Sequence, residues 1–217
     1  MISRILESQW RFRILLVVLA AVIFGMPVLS EMAGWDTTAS GLTIITFGVL
    51  LASGRGACSR MMLPAILVLG LIWIREASPA SKLEGVRFMA AAVLLLYSVG
   101  ITIDYLRHRR EIDQESLAAA AAVYLLFGIA CGGLYAALSV WAPGGLVFAG
   151  VSGVPDLHDH VYFSFVVLTT IGFGDVVPSD ALHRSLAMLE GIAGVFYLAV
   201  VISRLVSLYH RQNGSAQ

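Results

Sequence analysis

Apolar runs at about 12–30, 39–54, 58–75, 86–106, 117–141 and 185–208 take up most of the chain, and they fix the solvent it can fold in. A helix needs roughly 20 predominantly apolar residues to cross the hydrocarbon core of a bilayer, and the last three runs meet that length clearly. The second and third are short, so they either cross or dip in and return as a hairpin; the sidedness downstream is the same either way. Only 13% of the 217 residues are charged and the mean hydropathy is +0.86, whereas soluble domains carry about a quarter charged residues. The expected fold is therefore all-α and membrane-embedded, with six spans. A formal net charge of zero gives nucleic acid no basic surface to bind.

Basic residues, retained on the cytoplasmic side of membranes, orient the spans. With the N-terminus inside, Arg4, Arg11, Arg13, Arg55, Arg60, Arg107, Arg109, Arg110, Arg204 and Arg211 lie inside, against Arg75, Lys82, Arg87 and Arg184 outside. Both termini are thus expected in the cytoplasm. Trp10, Trp35, Trp73 and Trp141 all fall at expected span ends, where amphipathic indoles meet the interface. A cleaved leader is not expected, because no A-x-A-like site follows Val28. Cys58 and Cys131 read as reduced packing residues. Only "HRQNGSAQ" follows the sixth span, and no soluble regulatory domain is expected in the chain.

Between the fifth and sixth spans, "DHVYFSFVVLTT" (159–170) is too short to cross yet apolar enough to be buried, so it reads as a re-entrant helix. It runs into "TIGFGD". Non-helical backbone at membrane depth is tolerated only inside protein or beside water, so this run must face something polar. Glycine at alternate positions, Gly172 and Gly174, permits left-handed dihedrals without a side-chain clash, and successive carbonyls can then point toward one axis. Such a column of carbonyls coordinates ions.

Thr170-Ile171-Gly172-Phe173-Gly174-Asp175, after a short helix and between two spans, resembles the signature of tetrameric potassium channels in its "GFG" form. The resemblance covers roughly 117–208 and divides the chain into an N-terminal membrane domain, 1–110, and a pore domain, 111–217. It implies that the carbonyls of Thr170, Ile171, Gly172 and Phe173, with the Thr170 hydroxyl, coordinate K+ and that Gly174 completes the filter. Because each chain has one such loop, a ring of carbonyls implies a homotetramer in the lipid bilayer of a prokaryotic inner membrane. K+ would be the permeant ion, with no cofactor and no catalytic residue. Thr169, Asp175, Tyr162 and Glu190 are implied as filter support, Tyr162 standing where the family commonly pairs a tryptophan with the post-filter carboxylate. Pro178 follows the filter, and Gly194, nineteen residues after Asp175, matches a frequent hinge glycine. Val166 departs from members that place a glutamate behind the filter.

Glu190 lies within the sixth run, where an ionisable group usually faces a partner. It braces the re-entrant helix through Thr169 or Ser164, or is protonated; a direct role in ion binding or gating is the alternative. Gly191 and Gly194 form a gating hinge or simply allow close packing. The "GIACGG" of the fifth run is expected to pack on the sixth. His158, His160 and His183 are expected as solvated residues near the outer mouth, with proton sensing as the alternative. The fourth run carries no arginine between Phe88 and Ile103, so it lacks the charges that steep voltage gating needs. Rival readings are a non-selective monovalent cation channel, a transporter subunit and an accessory membrane subunit.

Overall fold

The computed structural model describes residues 10–33, 38–52, 62, 64–70, 81–108, 113–149, 155–204 and 207. In chain order the elements are α1 (Arg11–Ala33), α2 (Thr38–Ala52), α3 (Ser81–His108), α4 (Gln114–Trp141), strand β1 (Leu146–Phe148), α5 (Leu157–Leu168), strand β2 (Val176–Pro178) and α6 (Ala181–Tyr197), continued by a π-helical turn, Leu198–Ile202. Four stretches are long and apolar enough to cross a membrane: Arg11–Leu29, Leu83–His108, Gln114–Trp141 and Ala181–Val201. The chain is therefore a multi-pass membrane protein. Of the two short runs, the first forms the 15-residue α2, below the roughly 20 residues of a span. The second contributes a helical stretch at 64–70 to the described residues. Among those residues, then, four spans stand where the sequence predicts six; Cys58, Trp35 and Trp73 lie outside them.

The apolar helices dispose of their few hydroxyls internally. Thr46 Oγ1 donates to the Leu42 carbonyl at 2.7 Å, Ser98 Oγ to Leu94 at 2.7 Å and Thr102 Oγ1 to Ser98 at 2.8 Å. Each bond reaches back one turn, so these polar groups are not left bare in an apolar setting.

Helix α4 is the hub. Asp113 caps it by accepting from the Ser116 amide at 2.8 Å, and of its run of five alanines Ala118, Ala119, Ala120 and Ala122 are buried while Ala121 is exposed. At its N-terminal end, buried Glu115 accepts the Phe12 amide of α1 at 3.0 Å and sits 3.7 Å from Arg13 Nε. A carboxylate at the first turn of α1 satisfies an amide that the helix itself leaves unpaired, and it complements the helix dipole. Phe12 also meets Tyr105 of α3, ring centroids 5.0 Å apart, with the Arg11 guanidinium over both rings.

The glycines of "GIACGG" do not pack on α6, as the sequence suggests. A Cβ at Gly128 would lie 2.8 Å from the Phe165 ring of α5, one at Gly132 2.7 Å from the Val161 Cα of α5, and one at Gly133 3.3 Å from the Ala92 Cβ of α3. The sequence marks these as sites of close approach without saying which element approaches. The Gly132 contact is against backbone, which cannot rotate away. Gly132→Ala is therefore expected to destabilise the protein by about 1–3 kcal/mol, read as a lower unfolding midpoint in detergent. Gly100→Ala, at a helical position with nothing within 4 Å, should leave the midpoint unchanged or raise it.

Candidate functional site

Helix α5 starts at a capping box. Asp156 accepts the amides of His158 and Asp159, at 2.7 and 3.1 Å, and Asp159 accepts the Asp156 amide at 2.9 Å. These bonds and the His158 side chain hold the Asp156 carboxyl below its ordinary value, the His158 contact being the largest cause. The helix buries Phe163, Ser164, Val166 and Leu168 and ends at Thr169, whose hydroxyl returns to the Phe165 carbonyl at 2.5 Å.

Beyond Thr169 the chain makes a turn fastened by its amides. Thr170 N–H donates to the Val167 carbonyl at 3.0 Å, Ile171 N–H to Val166 at 3.1 Å, and Gly172 N–H to the same Val166 oxygen at 3.4 Å. In a trans peptide the N–H and the preceding C=O point in opposite directions, and none of the described peptides is cis. With the amides turned back onto α5, the carbonyls of Thr169, Thr170 and Ile171 are turned away from it. The dihedrals agree: φ is +58° at Thr170, +61° at Gly172 and +80° at Gly174. Left-handed backbone at every second residue is what lets consecutive carbonyls share a direction. Glycine takes that conformation freely, whereas Thr170 is the one non-glycine residue with positive φ among those described.

Asp175 closes the turn. Its Oδ2 accepts from Tyr162 Oη at 2.7 Å, its Oδ1 from the Val176 amide at 3.0 Å, and its carbonyl from the Ala149 amide at 2.7 Å. The hydrogen bond to Asp175 raises the Tyr162 phenol above its ordinary value. Past Asp175, β2 pairs antiparallel with β1, Val147 opposite Val177, so the segments before α5 and after the turn are clasped together. Ser179 strengthens the clasp by donating its amide to the Gly145 carbonyl at 2.9 Å and its hydroxyl to Gly144.

Behind the turn lies Glu190, buried on α6. Its Oε2 accepts from Tyr135 Oη of α4 at 2.7 Å and its Oε1 lies in hydrogen-bond contact with Ser164 Oγ of α5. Of its two expected partners Ser164 is met and Thr169 is not, because the Thr169 hydroxyl is used by its own helix. Tyr135 is a partner that sequence reasoning does not single out; a phenol inside an apolar run is the signal that points to it. Gly194 lies against the end of α5, where a Cβ would come within 3.0 Å of the Leu168 carbonyl oxygen, while Gly191 is in ordinary contact range of Val167. Tyr124 Oη donates to that Leu168 carbonyl at 3.1 Å.

Two of the three histidines expected in solvent are buried, His160 at 3% and His183 at 0% exposure. His183 Nδ1 lies 2.9 Å from the Asp180 carboxylate, under Gly145, where an added Cβ would collide with the imidazole. His160 is held between the Asp156 carbonyl at 2.5 Å and Ser139 Oγ at 3.0 Å, with Phe148 of β1 edge-on. The β1–β2 clasp covers what a loop would leave open.

Burial lowers the His160 pKa, against the opposing pull of Asp156 and Asp159. The unfolded chain then takes up its proton first, at a pKa of about 6.5. His160 thus contributes stability that is present above about pH 6.5 and is lost as pH falls. The unfolding midpoint of the wild type should therefore drop between about pH 6.5 and pH 5, and His160→Asn should flatten that drop.

Residues 135–211 match a family described as "Ion channel". Over 73 residues the chain is 47% identical to "Potassium channel, subfamily K, member 16" of Mus musculus, which covers 30% of this chain and 25% of that protein. Over 49 residues it is 39% identical to "Two-pore potassium channel 4" of Arabidopsis thaliana, covering 23% and 17% respectively. The chain thus spans a quarter or less of the length of these relatives. No solved structure matches it. The similarity to ion channels falls on the segment that carries the fastened turn.

Proposed function

We propose that this chain is one subunit of a homotetrameric potassium-selective channel that conducts K+ passively through the cell membrane. The observation that carries this reading is the turn at 170–174, where the amides of Thr170, Ile171 and Gly172 are tied to α5 while alternate left-handed residues free the carbonyls. In this reading the carbonyls of Thr170, Ile171, Gly172 and Phe173, with the Thr170 hydroxyl, replace the hydration shell of K+. The C-terminus of α5, the negative end of a helix dipole worth about half a charge, favours a cation there. Tyr162 and Asp175 fix the outer end of the filter, and Glu190 fixes its back. The family match at 135–211, which includes this turn, and the likeness to two potassium channels support the assignment.

Stoichiometry is argued from what one chain leaves undone. The sequence has a single "TIGFGD", and one strand of carbonyls surrounds no ion. Helix α6 covers only a seam, His183, Glu190 and Gly194, while Met188, Leu189, Ile192 and Phe196 are 55–65% exposed. Ile171 and Phe173 are exposed as well, at 56% and 67%. Four copies around an axis would cover these surfaces and close the ring. Chemical cross-linking of the protein in membranes should trap a ladder ending at four chains; a ladder ending at two would overturn the stoichiometry.

Purified protein in liposomes should carry K+ with a bi-ionic reversal potential far from zero against Na+. A reversal near zero would make it a non-selective cation channel, and no flux would sink the reading. Gly172→Ala or Gly174→Ala should abolish selectivity or flux, since left-handed backbone costs an L-residue roughly 1–2 kcal/mol.

The same reading makes the channel only weakly voltage-dependent. No arginine falls between Phe88 and Ile103 of α3, and Arg87 at its outer end is buried with its guanidinium 3.5 Å from Glu84. One charge moved through about 100 mV is worth about 2.3 kcal/mol, and this helix offers none at its centre. Currents between about −100 and +100 mV should be close to ohmic and unchanged by Arg87→Gln or Arg107→Gln. A steep sigmoid reduced by either substitution would refute weak voltage dependence.

A further inference from the structure

The hydrogen bonds around Glu190 can be counted proton by proton. Ser164 Oγ lies 2.7 Å from the Gly128 carbonyl of α4 and also contacts Glu190 Oε1, while Tyr135 Oη reaches Glu190 Oε2 at 2.7 Å. A carbonyl only accepts, and a serine hydroxyl has one proton to give. If Ser164 gives its proton to Gly128, its contact with Glu190 holds a proton only when the carboxyl supplies it. Protonated on Oε1, Glu190 completes the set: the carboxyl donates to Ser164, Ser164 to Gly128, and Tyr135 to Oε2, with the Cys131 thiol as a further donor to the carboxyl. An ionised carboxylate leaves one of the Ser164 contacts as two oxygens facing each other with no proton between them.

The surroundings favour the same state. Glu190 is 2% exposed, and Ser164 and Tyr135 are fully buried. The groups that face it are Tyr124, Cys131 and Tyr135 from α4 and Ser164 from α5, none of them a cation. His183, on the same seam of α6, stacks on the Tyr135 ring at 6.5 Å and turns its Nδ1 to Asp180. Among the described residues no ion pair involves Glu190. A buried carboxylate without a cation is strongly disfavoured, and a protein relieves it by keeping the group neutral.

We infer that Glu190 carries a proton in the conducting protein, and that this proton links α4, α5 and α6 behind the turn at 170–174 and so regulates conduction. The regulatory half rests on the channel reading. Loss of the proton turns Ser164 toward the carboxylate and releases Gly128, loosening α5 from α4. Because the amides of 170–172 hang on carbonyls of α5, their aim changes with it.

Infrared difference spectroscopy of the full chain in liposomes tests the protonation without reference to transport. At about pH 7, only about one ordinary glutamate in five hundred is protonated, so a protonated-carboxyl band is diagnostic. The wild type should show it at that pH and Glu190→Gln should lose it. Ser164→Ala should shift the band without removing it, by taking away the acceptor of the acid proton, and this variant keeps the assignment open to refutation if Glu190→Gln does not fold. A wild type without the band, or a band indifferent to both substitutions, overturns the inference and leaves the channel reading intact. For regulation, K+ flux of the wild type should fall as pH is raised until the band disappears, whereas whatever flux Glu190→Gln has should not change over the same pH range. Flux that survives loss of the band overturns the regulatory half, whereas absence of flux at every pH, with the band present, refutes the channel reading alone.

Discussion

A chain that leaves helical geometry must find partners for the backbone amides it releases, and here the free carbonyls at the end of α5 take those of Thr170, Ile171 and Gly172. The last turn of any helix has unpaired carbonyls; the residues just beyond this one turn back and use them. One constraint therefore meets two needs. The end of α5 is satisfied without water, and the carbonyls of the turn are forced outward together. The capping box at Asp156, the Tyr162–Asp175 bond and the β1–β2 clasp each hold α5 and the turn in the relation that this exchange requires.

The support behind the turn is polar where packing alone would have sufficed. Ser164, Tyr135 and Glu190 come from three different helices and meet at one buried point. Apolar side chains of the same volume would fill the space, but would not fix the rotation of α5 about its axis. Hydrogen bonds, being directional, do, and a small rotation of α5 would redirect every carbonyl suspended from it. Gly194 adds a steric stop, since any side chain there would press on the Leu168 carbonyl.

Much of this arrangement is legible in the sequence wherever one residue type has one physical use. Gly172 and Gly174 announce left-handed backbone, the long apolar runs announce spans, and a lone carboxylate at 190 announces a buried partner. Legibility fails where a partner is chosen by the fold. "GIACGG" declares close approach, but that α5 and α3 approach it depends on how four helices are arranged. His160 and His183 look solvated because nothing local says that a three-residue ladder folds over them. Thr170 gives no sign of its positive φ; a threonine is held there only by the bonds on either side. The shortness of the second apolar run is visible, yet whether such a run crosses is decided by what surrounds it.

The π-helical turn at Leu198–Ile202 carries a consequence for the C-terminal end of α6. A π turn inserts the equivalent of one extra residue into the helical count, and one residue corresponds to about 100° of azimuth. Above it, α6 is indexed to α4 and α5 by Glu190, Gly194 and the Tyr197 hydroxyl, which donates to the Ala120 carbonyl at 2.7 Å. Below it, the helix wheel is out of phase with that index. A residue such as Arg204 therefore presents a different side than the heptad count from Glu190 assigns to it, and its guanidinium reaches the Arg107 carbonyl at the foot of α3 at 3.4 Å. The two halves of the helix are continuous in chain but not in compass bearing, so a contact made above the π turn does not fix which side of the helix meets a neighbour below it.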